Sequence, residues 1–489
     1  MVQIIYDDTI AVPEEIKAFV GISHFSSIVY RHKSLLESMC GLAEALNWPA
    51  PIRLSTAADI AELADQIRIE DDKELYLVTL SNLVPRCRES EVLLFLQQIQ
   101  YSPAPLYMFL QDARGRRGWA LMRAPLLKGY LRKRLDNDVD TFFAEQGDRI
   151  VHVHGRLPLI DLRDEPVLQE FLSGQFDARH FNSVERDRYT VIKRSQNREK
   201  LKEEFDFYYL VPPVMQTFLV QPFDFQDDGK WASYRMERVG APDMATQWIN
   251  GAIQPHELER FLSHLFYFID IRPRRPASKA EAAAARKFLF EEKVKSRVAA
   301  LMAHPAYPQL APLLQSACGG MDRLVERYFQ LLEESERHAH VDHLVMGHGD
   351  PCFSNIFYSK ASQYLKLIDP RGARSEAELF THPLYDVAKI SHSVQGGYDF
   401  INNGKFDITV DGALRARLRV DSPSLGWAAD MFQRQLEKSG FDSRLIRLYE
   451  ASLFISMLPL HIDRPRKVLA FAINAADILA SLSIKDATG

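Results

Sequence analysis

Cysteine is scarce in this chain. There are four in 489 residues, Cys40, Cys87, Cys318 and Cys352, and no Cys-x-x-Cys pair. Such scattered residues exclude a disulfide framework, argue against a zinc site and read as reduced thiols. A dominant charge sign is missing too: 60 Lys and Arg face 65 Asp and Glu, a net charge of -5. Without a long basic face, nucleic-acid binding is not expected. No uninterrupted apolar stretch reaches the ~18 residues of a membrane span. No basic start precedes an apolar run; instead Asp7, Asp8, Glu14 and Glu15 come early. An integral membrane segment is therefore not expected, and the cytoplasm is the expected location. Residues 1–170 contain neither Gly-x-Gly-x-x-Gly nor Gly-x-x-x-x-Gly-Lys-Ser/Thr, so no phosphate-cradling loop is visible there. Internal repeats and low-complexity segments are absent.

What remains is the composition of a globular protein, 46% hydrophobic and 26% charged, in a chain long enough for two or three domains. Residues 1–170 alternate apolar runs with helical patterns. Val2–Tyr6, Leu75–Leu80 and Leu106–Leu110 read as strands and Glu89–Gln100 as a helix, which predicts an α/β domain. The run Ser81-Asn82-Leu83-Val84-Pro85 leaves two identities open, a decayed nucleotidyltransferase-like domain or an unrelated α/β interaction domain. His152, His154 and Asp161 alternate along a predicted strand and read as packing or surface residues rather than metal ligands.

The most informative stretch is 347–372, Gly-His-Gly-Asp-Pro-Cys-Phe-Ser-Asn-Ile-Phe and then Leu-Ile-Asp-Pro-Arg-Gly. Asn355 follows Asp350 by five positions, and Asp369 follows Asn355 by fourteen. Ile356–Tyr358 and Tyr364–Ile368 predict two strands around a polar tip at 359–363, which would bring both acids to one end of a hairpin. Phosphoryl transfer from ATP needs such a set: a carboxylate to position and deprotonate a hydroxyl, plus an amide oxygen and a second carboxylate to hold magnesium. Cys352 in this loop reads as a small side chain, not a nucleophile.

The segment resembles the aminoglycoside phosphotransferase and choline kinase branch of the protein-kinase-like fold. His348-Gly349-Asp350 stands where protein kinases carry His-Arg-Asp, and Asp369-Pro370-Arg371-Gly372 stands at Asp-Phe-Gly. The resemblance spans about 175–480 and is specific around 346–390. It implies Asp350 as base, His348 as a brace of the catalytic loop, Asn355 and Asp369 as magnesium ligands, and Asp386 as a helix-start buttress. It also implies ATP and Mg2+ as cofactors.

Residues 171–240 fit a small lobe. Tyr189–Lys193 is a β-rich run, and a helix is predicted from Asn197 to Leu210. Leu201, Phe205 and Tyr208 share a face of it, with Glu204 beside them and Glu203 opposite. A kinase needs a strand lysine on the phosphates held by a helix glutamate, and Lys193 with Glu204 would supply it. Strands are predicted at Phe218–Asp224 and Trp231–Glu237, turning at Asp227-Asp228-Gly229. The resemblance then places the hinge at Tyr234–Val239, so Met236, Glu237 and Val239 are expected at the adenine. Asn182–Glu185 lie over the phosphates and contain no glycine. Residues 241–489 are read as the large helical lobe, with helices at His256–Phe268 and Lys279–Met302. Arg272, Arg274 and Arg275 between them read as a solvated loop, with an anion site as the alternative. Ser393–Asp399 is a polar and aromatic run where the fold builds its acceptor pocket.

The expected protein is thus an α/β N-terminal domain joined to an α+β bilobal kinase-like domain. It is expected to phosphorylate a hydroxyl of a sugar, sugar phosphate or polyol. The layout of Tyr189–Lys193 and Tyr385–Phe400 is similar to kinase-like proteins of bacterial capsule and surface-polysaccharide biosynthesis. Docking to enzymes of that kind through the N-terminal domain is the expected partnership. The rivals are a nucleotide-binding pseudokinase scaffold and nucleotidyl transfer on the same fold.

Overall fold

The structure is a computed structural model that describes residues 2–30, 32–68, 74–110, 116–173, 182–186, 189–336, 341–412, 415–422 and 424–484. It separates into two compact units, Met1–Gln175 and Phe176–Gly489.

In the first unit, Val2–Asp7 runs parallel to Ile52–Leu54 on one side and to Leu75–Leu80 on the other. Arg117–Arg123, Leu106–Leu110 and Ile150–Val153 extend these into a six-stranded mixed sheet. Parallel strands need crossovers that cover both faces, which is why Val2–Asp7 and Leu75–Leu80 carry apolar residues on both sides. Ile4, Tyr6 and Leu77 pack into one core, while Ile5, Tyr76 and Val78 pack into another. The crossover helices Leu35–Ala45 and Ala57–Gln66 each begin with a reciprocal cap, Ser34 with Glu37 and Thr56 with Asp59. Asp7 and Asp8 sit at the carboxyl end of the first strand, where open α/β sheets bind ligands. Both are already neutralised, Asp7 by Arg134 at 2.9 Å and Asp8 by Arg53 at 2.7 Å. His152 and Asp161 do not share a strand. Ile150–Val153 belongs to the large sheet, Leu159–Asp161 pairs with Leu83–Pro85, and His154 lies outside both. Asp161 accepts from Asn82 and Arg163.

The second unit opens with an antiparallel four-stranded sheet in the order Asn182–Arg186, Thr190–Ser195, Ala232–Glu237, Pro222–Asp227. The Asn182–Glu185 segment is therefore strand rather than loop; residues 187–188 lie outside the described residues. The helix Arg198–Leu210 starts on Asn197, whose Oδ1 accepts from Lys200 N. It buries Leu201, Glu204 and Phe207, so Phe207 replaces Tyr208 on the inner face. The strand expected at Phe218–Asp224 forms instead at Pro222–Asp227. Phe218 and Val220 are drawn away to exchange backbone hydrogen bonds with Leu367, and Asp224 turns with φ 53° in the bulged region.

The remainder is a helical lobe. Pro255–Ile271 buries Leu258, Phe261, Leu262 and Leu265 at three and four spacing. Lys279–Met302 is continuous but carries a π-turn at Phe288–Glu292. Within this lobe Ile356–Ser359 and Tyr364–Leu367 form the expected hairpin, and His343–Met346 pairs with Arg274–Pro276 and Phe380–Thr381. A β-sheet lobe followed by a helical lobe with an inserted hairpin is the bilobal protein-kinase-like architecture. No helix among the described residues is long and apolar enough to cross a membrane.

Candidate active site

Lys193 occupies the middle of its strand opposite Tyr234, and its side chain is 9% exposed. Its Nζ donates to Glu204 Oε2 at 2.6 Å and to Asp369 Oδ1 at 2.9 Å. Burial opposes the charge on Lys193, but Asp369, Tyr234 and Glu204 outweigh it and hold the ammonium well above its usual pKa. One cation thereby joins the strand, the small-lobe helix and the segment after the hairpin. Glu203 lies away from this pair, near Arg374 at 3.5 Å.

The loop expected to be catalytic is held from below. Asp386 is fully buried in the first turn of the Tyr385–Val394 helix. Its carboxylate accepts from His348 N at 2.9 Å and Gly349 N at 2.8 Å. Arg272 Nη1 completes it at 2.8 Å, with further bonds from Arg272 to the carbonyls of Ile269 and Pro383. The solvated-loop reading of Arg272 is corrected: it is 3% exposed and serves the loop, whereas Arg274 and Arg275 remain exposed. Gly349 has φ 86°, and a Cβ there would stand 2.5 Å from Arg371 Cβ, so no other residue fits.

His348 is completely buried. Burial pushes its imidazole below the ordinary range, so it is neutral, and its Nδ1 accepts from Asp350 N at 3.3 Å. The sequence reading expected it to brace the loop, and its buried ring lies against the Asp350 amide. Asp350 differs, with a side chain 41% exposed. Burial of its inner oxygen would raise this carboxyl, but Lys389 beside it outweighs burial and holds it below the usual carboxylate range. Lys389 Nζ lies 2.9 Å from Asp350 Oδ1. Burial pushes the Cys352 thiol well up, which makes it inert.

Asn355 Nδ2 donates to the Asp350 carbonyl at 2.9 Å, which leaves its amide oxygen for another partner. Asp369 is 37% exposed, with one oxygen on Lys193. The remaining donors are hard oxygens, which suit magnesium completed by phosphates and water. Among the described residues there is no cluster of three or more His, Cys, Asp or Glu able to hold a metal, so any ion here would draw on these two side chains. Asp369 has φ 55°, a left-handed conformation of the kind held at functional sites.

Where the hinge was expected, Glu237 ends its strand exposed and Met236 packs on the small-lobe core. The Arg238 amide is committed to the Tyr189 carbonyl, and Val239 is half-buried beyond it. In the acceptor run, Ser393 and Asp399 are buried. Asp399 Oδ2 has no hydrogen-bond partner, and Tyr398 stacks on His392 with centroids 4.3 Å apart. Two site residues escaped the sequence reading. Lys389 lies three positions after Asp386 on one helix, a spacing that puts both on one face and could have flagged it. Arg272 carried no local signal.

No protein-family model matches the chain, and no curated protein does. Solved structures do. Aminoglycoside phosphotransferase APH(4)-Ia is 12% identical over 65% of this chain and 99% of its own, with a TM-score of 0.35. An aminoglycoside-3'-phosphotransferase of type VIII is 15% identical over 55% and 84%, at 0.30. Choline kinase from Cryptosporidium parvum Iowa II is 12% identical over 66% and 94%, at 0.31. At such identities and scores the likeness adds nothing to the side-chain geometry above.

Proposed function

We propose that the second unit transfers the γ-phosphate of ATP to a hydroxyl of a small molecule. The observation that carries this is the single ammonium of Lys193 held between Glu204 at 2.6 Å and Asp369 at 2.9 Å, in the same unit as a braced Asp350. Lys193 would bind the α- and β-phosphates, and Met236, Glu237 and Val239 would border the adenine. Asn355 and Asp369 would hold Mg2+, which supplies charge neutralisation on the phosphates when bound. Asp350 would orient the acceptor hydroxyl and take its proton. Positioning and charge neutralisation provide most of the rate in such a site, because the transition state is loose.

The acceptor is proposed to be a sugar, sugar phosphate or polyol. The buried polar and aromatic run Ser393–Asp399 supports this, since such groups pair with multiple hydroxyls. The similarity of Tyr385–Phe400 to kinase-like proteins of capsule and surface-polysaccharide biosynthesis supports a role there, with the first unit docking to enzymes of that process. The test is ATP turnover against a panel of sugars, sugar phosphates and polyols, with products weighed by mass spectrometry. A product heavier by one phosphoryl group is expected; a nucleotidyl adduct would overturn the reaction class. Asp350→Asn should lower turnover by on the order of 10² or more while nucleotide binding persists.

A further inference from the structure

The catalytic loop lacks a cation of its own. After Asp350 it continues Pro351-Cys352-Phe353-Ser354, and the small-lobe Lys193 is already engaged by Glu204 and Asp369. Charge accumulates on the transferring phosphoryl group beside the base, and that charge needs a fixed positive partner in a water-poor site. Among the described residues one cation reaches ion-pair distance of Asp350, and it comes from another element. Lys389 projects from the Tyr385–Val394 helix, one turn beyond Asp386. The same helix face therefore fixes the loop twice: Asp386 binds its backbone at His348 and Gly349, and Lys389 binds its carboxylate.

The two partners are not equally exposed. The Lys389 side chain is 14% exposed and Asp350 41%. Asp350 Oδ1 is shut from solvent on the lysine side, so the exposed part of the carboxylate is the side of its second oxygen.

We propose that Lys389 is a positioning residue for phosphoryl transfer, acting through Asp350: it fixes one carboxylate oxygen so that the other meets the acceptor hydroxyl. The inference rests on the phosphotransfer reading above. In that step the acceptor oxygen forms its bond to the γ-phosphorus and the bond from the γ-phosphorus to the β-bridging oxygen breaks. The hydroxyl proton passes to the free oxygen of Asp350, and ADP leaves. Lys389 keeps its proton throughout. Its strongly raised pKa, with Asp350 the first cause to overcome burial, is consistent with that.

The test uses the full chain, Mg-ATP, and phosphate release to water or to whichever member of the sugar and polyol panel accepts it. Lys389→Met should lower kcat by ~10- to 100-fold while KM for ATP stays within about threefold. Lys389→Arg, which keeps the charge and reach, should recover at least about tenfold of that loss. In the Asp350→Asn background, Lys389→Met should add less than about threefold, because the two act as a unit. Parent-like kcat in Lys389→Met, or Lys389→Arg as slow as Lys389→Met, would overturn the proposal and leave the phosphotransfer reading standing. A parent that turns over no ATP with water or any acceptor overturns both. Should Lys389→Met fail to fold, the Arg variant and Lys389→Gln provide the same comparison.

Discussion

The buried ion pair beneath the catalytic loop gives a prediction with a computable size. Arg272 and Asp386 are 2% and 0% exposed and 2.8 Å apart. Arg272→Met keeps the apolar stem but removes the guanidinium, so Asp386 is left as a buried carboxylate with only two backbone N–H donors. The carbonyls of Ile269 and Pro383 lose their donors in the same change. Breaking a buried pair from one side costs about 3–5 kcal/mol. Unfolding a unit the length of Phe176–Gly489 carries an entropy of roughly 0.7 kcal/mol per kelvin. The melting midpoint of that unit should therefore fall by about 5–8 °C. Differential scanning calorimetry reads this directly, and the first unit serves as an internal reference because it holds neither residue. A double variant, Arg272→Met with Asp386→Leu, should cost at least ~1 kcal/mol less than the sum of the singles, since neither leaves a charge unpaired. A midpoint within 1 °C of the parent for Arg272→Met would refute the reasoning, because it would mean Asp386 is not dependent on that partner.

Three further outcomes are expected. Asp369→Ala should abolish magnesium-dependent thermal stabilisation by ATP while the fold survives, and an unchanged ATP shift with and without magnesium would remove Asp369 from metal binding. Burial, reinforced by Asp243 and Asp350 and resisted by Ser393, raises the Asp399 carboxyl to about 7. A folded-state pKa above the unfolded one means stability is fully present below about pH 4 and lost as pH rises through 7. The second unit's midpoint should thus drift down between about pH 4 and 7 and level off above it, and Asp399→Asn should flatten that drift; an identical slope in the variant counts against it. Finally, a Met1–Gln175 fragment should fold but release no pyrophosphate from any nucleoside triphosphate offered with sugar phosphates. It has no phosphate loop, and Asp7 and Asp8, where a metal would be expected, are neutralised by Arg134 and Arg53. Pyrophosphate above background would show that this sheet end still catalyses.

Much of the candidate site was legible because its residues are contiguous or carry local periodicity. His348 to Asp369 is one stretch, and spacing alone put its acids at one end of a hairpin. Lys193 and Glu204 were found because a β-rich run and a helix each announce their own facing residues. What failed was whatever depends on distant chain. Arg272 lies between prolines and beside two other arginines, the local signature of a loop, yet its partner Asp386 is 114 positions away. Tyr208 gave way to Phe207 because Phe207 also faces His348, with ring centroids 6.2 Å apart, a neighbour that helical phase cannot supply. The strand boundary at Pro222 moved because Leu367 competes for the backbone of Phe218 and Val220. In residues 1–170 the apolar runs Val2–Tyr6, Leu75–Leu80 and Leu106–Leu110 were legible as strands, whereas Ile52–Leu54, short and carrying Arg53, and Arg117–Arg123, with an arginine at each end, were not. The identity of this region stayed open because packing residues say nothing of chemistry.

The geometry of Asp369 shows how such distant constraints produce a functional side chain. Read locally, Leu367-Ile368-Asp369 continues a strand, and a strand would aim the aspartate elsewhere. Instead the chain is pinned on both sides of it. Ile368 N donates to the Asn355 carbonyl at 3.0 Å and Arg371 N to the His348 carbonyl at 2.8 Å. Between these two bonds the backbone reverses, and Asp369 takes φ 55°, at a cost of roughly 1–3 kcal/mol. Gly372 then passes so close to the small-lobe helix that a Cβ would stand 2.8 Å from the Glu203 carbonyl carbon and 2.9 Å from Glu204 N. The turn that aims Asp369 at Lys193 is the same turn that seats the helix carrying Glu204. The ion triad and the backbone turn thus depend on each other, and the strain at Asp369 persists because both lobes of the unit enforce it.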